Sequence, residues 1–158
     1  MFTRIIVPLD GTRQSTKALA HARNMAATHG SELVLLRVIE MSTVATILGS
    51  ATMAEIPSAA ASKMLVESAK NSVADNRLRA GRYLKRHERA IQGQGIHVST
   101  EVAVGDPARV IRNVAQQPNA DLIAIATRAR GRIQRALLGS VADELIRTTR
   151  VPVLLIRP

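Results

Sequence analysis

Apolar positions along the chain form short unbroken runs, separated by longer stretches in which they recur every three or four residues. Arg4–Leu9 (RIIVPL), Glu32–Glu40 (ELVLLRVIE), Leu122–Thr127 (LIAIAT) and Val151–Ile156 (VPVLLI) are runs of the first kind. Near-continuous apolar character suits strands buried on both faces, as in a parallel sheet. Ile96–Val104 (IHVSTEVAV) alternates and predicts a further strand.

The helical spacing lies between these runs. From Ser15 to His29 the residues Ala18, Leu19, Ala22, Met25 and Ala26 share one face, and Gly30 is a C-terminal stop. A long helix is predicted over 63–91, carrying Leu65, Val73, Leu78, Tyr83 and Leu84, with Gly93 and Gly95 ending it. Asp106 and Pro107 suit the cap and first position of a helix running to about Gln116, before Pro118. Ser140 is predicted to cap a last helix from Val141 to about Thr149, with Asp143 completing a capping-box pattern.

Five strands alternating with four helices predict an α/β fold: a doubly wound five-stranded parallel sheet flanked by helices, Rossmann-like, with right-handed crossovers. At 158 residues the chain reads as a single domain, residues 1–158. It is interrupted at about Met41–Ser62, where Ser, Thr and Ala dominate and Glu55 is the sole charge. That segment reads as a long flexible insertion.

Composition narrows the chemistry. With one Phe and one Tyr, the core must be aliphatic. The absence of cysteine excludes disulfides, thiolate metal sites and a cysteine nucleophile. No apolar run reaches the roughly 20 residues that span a bilayer, so a cytoplasmic protein without membrane partners is expected. The net charge of +10 admits an anionic partner, although an arginine-rich composition gives the same charge without one. Nucleic acid is disfavoured, because no aromatic platform exists for stacking bases.

Ligands of such sheets gather at the carboxyl ends of the strands, near the switch in strand order. Here those ends are Asp10, Val38 and the stretch from Ala126 to Ser140, ATRARGRIQRALLGS. That stretch holds Arg128, Arg130, Arg132 and Arg135. A phosphate loop, a basic surface and a solvated turn all fit it. A helix starting at Ser140 would present free N–H groups and a positive dipole end to an anion. Asp10, before Gly11, suits either a turn or a ligand contact, and Val38 either core or the wall of a site.

No phosphate loop of the G-x-x-x-x-G-K-[ST] type and no nucleophile elbow is present. His21, His29, His87 and His97 form no metal-binding pattern and read as surface positions. No acid–base pair emerges, so an enzyme is not expected.

Taken together, RIIVPLDGT, LLRVIE, GDPARVI and ADLIAIATRARGR…LLGSVADELIRTTRVPVLLI, in that order, resemble the universal stress protein family over essentially the whole chain. The resemblance implies a regulatory module that binds ATP or a related adenine nucleotide, with Mg2+ as a companion. It places the nucleoside near Pro8, Asp10 and Val38, and the phosphates near Ala126, Thr127, Ala129 and Arg130. Gly139, Ser140 and Val141 complete the implied site. Members of the family often pair through the last strand, which implies a homodimer through Val151–Ile156. Nucleotide-binding members carry glycine where this chain has Ala126 and Ala129, while Gly139-Ser140 is kept. If the loop requires positive φ there, alanine costs about 1–2 kcal/mol. The alternative is therefore a nucleotide-free homodimeric interaction protein.

Overall fold

The computed structural model describes residues 2–40, 59–117, 120–127 and 139–157. Among them the elements run β1 Arg4–Pro8, α1 Arg13–His29, β2 Glu32–Glu40, α2 Ala59–Ile91, β3 Val98–Gly105, α3 Pro107–Ala115, β4 Leu122–Ala126, α4 Ser140–Thr148 and β5 Val153–Ile156. The strands form one parallel sheet in the order β3-β2-β1-β4-β5. This is the doubly wound α/β architecture expected, and the chain reverses its direction of winding between β1 and β4.

Side chains alternate across the sheet and fill two aliphatic layers. Ile5, Val7, Leu33 and Leu35 pack against Ala18, Leu19 and Ala22 of α1 and Leu84 of α2. Ile6, Val34, Leu36 and Ile123 pack on the opposite face against Ile111 and Val114 of α3 and Leu145 of α4. Hydrophobic burial on both faces explains why the strands read as unbroken apolar runs.

Local signals set the boundaries. Thr12 caps α1, accepting from the Ser15 N–H at 3.2 Å, which moves the helix start to Arg13. Gly30 closes α1 in the left-handed conformation at φ 69°. Asp106 caps α3 through the Arg109 N–H at 2.9 Å, with Pro107 at its first position.

β3 and β5 each begin two residues later than expected, at Val98 and Val153, and two helix starts also differ. The long helix begins at Ala59, so residues 59–62, assigned above to the insertion, are helical; residues 41–58 lie outside the described residues. The Ala-rich composition there favours helix, which the change in residue type had masked. Second, the cap of α4 is Gly139, at φ −58° and ψ 152°, and Ser140 is already the first helical residue. The hydroxyl of Ser140 is therefore one position too far along to cap, and the expected capping box is not formed. Asp143 instead pairs with Arg147, one turn on, at 3.1 Å.

Candidate functional site

A crevice opens at the carboxyl ends of β1, β2 and β4, at the reversal between β1 and β4. Its walls are Pro8, Leu9 and Asp10 from β1 and its exit, Leu36, Val38 and Glu40 from β2, and Ile125 and Ala126 from β4. Thr12, Gln14 and Ser15 line it from the start of α1, Pro107 and Ile111 from α3, and Gly139 to Ala142 from the start of α4. Its volume is about 170 Å³, below the roughly 300–1,000 Å³ of sites that engulf a whole ligand. It suits a base-sized group, with the remainder of a larger ligand at its mouth.

The sequence-predicted residues Pro8, Asp10, Val38, Ala126, Gly139, Ser140 and Val141 all line this crevice. Thr127 does not. It is 1 % exposed, and its N–H donates to the Ile156 carbonyl at 3.0 Å, so strand pairing with β5 buries it. Ala129 and Arg130, with Arg128, Arg132 and Arg135, lie outside the described residues.

Both readings of Asp10 and of Val38 acquire structural content. Asp10 Oδ1 accepts from the N–H of Thr12 at 2.9 Å and from its hydroxyl at 2.6 Å, an Asx turn that fixes the entry to α1. The same carboxylate borders the crevice. Val38 packs against the second core layer and also forms crevice wall.

Ala126 bears on the question of the missing glycines. It is the last residue of β4, in register with Ile156 of β5. An extended strand residue has negative φ, so alanine is unstrained at this position. Its only cost to a ligand is the volume of one methyl group.

The start of α4, Gly139 to Ala142, borders the crevice. The first amides of a helix have no intrahelical partner, and the helix dipole adds positive potential there. Asp143 would oppose an anion, but its carboxylate is engaged down the helix by Arg147 through Nε and Nη2.

Pattern reasoning missed Thr12, Gln14 and Ser15, and also Leu9, Leu36, Glu40, Pro107, Ile111, Ile125 and Ala142. The available signal for the first three was Thr12 followed by Ser15, a cap that brings the start of α1 toward the crevice. The histidines also depart from expectation in two cases. His29 is half-buried, its ring edge-on to Phe2 with centroids 6.2 Å apart. His21 and His97 are exposed, whereas His87 is half-buried against Tyr83, ring centroids 4.7 Å apart. Burial, and then the neighbouring Arg86 charge, lower its pKa.

Among the described residues, no group of three or more His, Asp or Glu is placed to hold a metal ion. Nor is any helix long and apolar enough to cross a membrane.

The model of the universal stress protein family matches residues 1–157. The chain belongs to the universal stress protein family. A universal stress protein of Methanocaldococcus jannaschii is 27 % identical over 157 residues, covering 99 % of this chain and 83 % of that protein. In fold, the chain resembles a second protein of that organism with a TM-score of 0.79 at 21 % identity, covering 100 % of this chain and 97 % of the other. Two further universal stress protein structures hold adenine nucleotides. One, in complex with cAMP, has a TM-score of 0.60 and 18 % identity, covering 99 % and 97 % of the two chains. The other, from Archaeoglobus fulgidus in complex with dAMP, has a TM-score of 0.57 and 16 % identity, covering 99 % and 98 %. At these identities the structural likeness is one of fold.

Proposed function

We propose that this universal stress protein binds an adenine nucleotide, with ATP as the working ligand, and acts as a regulatory module rather than an enzyme. The observation that carries the reading is the meeting of Asp10, Val38 and Gly139–Ser140 in one crevice at the reversal of the sheet. The base fits the enclosed part between Pro8, Val38 and Ile125, and the phosphates lie at the start of α4. The cAMP and dAMP complexes of the two neighbours support the ligand class. The described residues include no cluster of three or more His, Asp or Glu that could cage Mg2+. Mg2+ would arrive on the phosphates, as it commonly does.

Titration of the purified protein with fluorescent ATP tests this, with Gly139→Trp as the blocked control. Saturable binding that Gly139→Trp removes is expected. No saturable signal at millimolar nucleotide would overturn the proposal.

A second reading, a nucleotide-free homodimer, rests on the alanine at 126 and on β5, which forms an edge of the sheet. The two readings separate in a native mass spectrum: the first gives a protein carrying nucleotide mass, the second a bare pair of chains. The dimer itself is compatible with both.

A further inference from the structure

We infer that Arg37 is a positioning residue for the crevice, acting on it from the opposite face of the sheet. Leu36, Val38 and Glu40 line the crevice, and strand alternation turns Arg37 to the other side. Arg37 is not in the crevice wall, so any effect it has on a ligand passes through other residues.

The residue it acts on is Leu9. Leu9 follows the last residue of β1 and is 1 % exposed. Its N–H donates to the Leu36 carbonyl at 2.8 Å, completing the parallel ladder. Its carbonyl accepts from Arg37 Nη1 at 2.9 Å. Both backbone polar groups of Leu9 are thus fixed by β2, one through the main chain and one through a charge-assisted side-chain bond. Asp10 and Thr12, which follow directly, border the crevice.

Two further contacts hold the guanidinium in place. It lies 5.8 Å from the centre of the Tyr83 ring, whose ring also has Arg86 at 5.7 Å. Gly11 closes the turn at φ +84°, and a Cβ there would stand 3.3 Å from Arg37 Nη1. The turn is therefore moulded against the guanidinium as well as bonded to it. A continuous path runs from Tyr83 on α2, through Arg37, to the Leu9 carbonyl and the Asp10–Thr12 edge of the site. Preorganising that edge lowers the ordering cost of binding.

This inference rests on the nucleotide reading of the same crevice, and its test separates the two. Wild type, Arg37→Met and Arg37→Lys are titrated with fluorescent ATP well below their unfolding temperatures, where a purely global loss of stability leaves affinity unchanged. Amide hydrogen exchange of the nucleotide-free proteins is followed in parallel. Arg37→Met keeps the aliphatic stem but removes the donor, and is expected to weaken binding about tenfold. Arg37→Lys, which keeps a donor, recovers most of that loss. Exchange in Arg37→Met rises selectively at Gly11 and Thr12, with β4 amides unchanged. Binding by Arg37→Met within twofold of wild type would overturn the inference. If wild type binds no nucleotide, the nucleotide reading fails, and exchange alone decides: unaltered protection at Gly11 and Thr12 overturns the role of Arg37, and a selective rise upholds it.

Discussion

Asp121 and Thr3, 118 residues apart in sequence, close the end of the sheet opposite the crevice. The Asp121 Oδ2 accepts from the backbone N–H of Thr3 at 2.6 Å and from its hydroxyl at 2.8 Å, and Oδ1 accepts from the Arg4 N–H at 3.2 Å. These amides stand at the entry to β1, and the carboxylate beside β4 registers the two central strands. Burial works to raise the Asp121 pKa, but the hydrogen bonds from Thr3 and Arg4 outweigh it and hold it below its ordinary value.

The sign of the consequence follows from that depressed pKa. Above the unfolded-state value near 3.9 both states are ionised and the bonds contribute fully. As pH falls below it, the unfolded chain takes up the proton first, and the contribution is lost by the time the folded carboxylate is protonated. Asp121→Ala is expected to lower stability by about 1–2 kcal/mol at pH 7. In urea melts at a series of pH values, its gap to wild type narrows below about pH 4. A gap independent of pH would show that the charge plays no part.

His87 titrates in a different window with the same sign. Its folded-state pKa is lowered by burial and by Arg86. The unfolded chain therefore binds a proton first as pH drops from about 6.5. Stability is expected to decline on that interval, and His87→Leu, which leaves an apolar side chain beside Tyr83, should flatten the slope. Thermal melts between pH 7.5 and 5 measure it; equal slopes in the two proteins contradict the assignment.

Much of this fold was legible because two-sided burial leaves a strong mark. Glu32–Glu40 was bounded correctly from its apolar run alone, Gly30 ends α1, and Asp106 and Pro107 start α3 where their backbone chemistry demands. The crevice followed from strand ends and yielded seven of its lining residues. What escaped was set by three-dimensional neighbours. Arg37 sits in an otherwise apolar run, and nothing in the pattern marks its bond to Leu9. The burial of Thr127 depends on β5 lying beside β4. Ser140 and Gly139 are both acceptable caps, and a shift of one residue decides whether the hydroxyl caps the helix or merely stands at its first turn.

The threonine that starts α1 joins fold and site. Thr12 Oγ1 accepts from the Ser15 N–H and donates to Asp10 Oδ1. Thr12→Val keeps the shape and removes both bonds. A loss of about 1 kcal/mol is expected from the cap alone, together with weaker nucleotide binding because Asp10 keeps the bond from the backbone N–H of residue 12 but loses the shorter one from the hydroxyl. Denaturation and ATP titration on one preparation check both; affinity unchanged at reduced stability would confine Thr12 to capping.

Ala126 tests how the missing glycines act. Since it is an extended strand residue paired with Ile156, Ala126→Gly relieves no strain. It is expected to lower stability by about 0.5–1 kcal/mol and to change ATP affinity by less than about threefold. Ala126→Val enlarges the same wall and, at the roughly 1–3 kcal/mol typical of overpacking, should weaken binding on the order of tenfold or more. A large gain in affinity from Ala126→Gly would mean that the strand end must rearrange around the ligand.

The edge strand offers a test of the proposed homodimer. Ile123 N–H donates to the Pro152 carbonyl at 2.9 Å and Thr127 N–H to the Ile156 carbonyl at 3.0 Å. In a parallel ladder this places the even-numbered residues of β5 toward β4, and turns the N–H groups of Val153 and Leu155 off the edge. Such unpaired amides, on a strand of apolar side chains, are what a second copy would cover. Val153→Pro removes one of them without touching the bonds to β4, because proline is tolerated on the outward side of an edge strand. Sedimentation of wild type at micromolar concentration is expected to give the mass of two chains, and Val153→Pro that of one, with circular dichroism unchanged. A wild-type monomer would remove the dimer, and a dimer that survives Val153→Pro would move the interface away from the β5 edge.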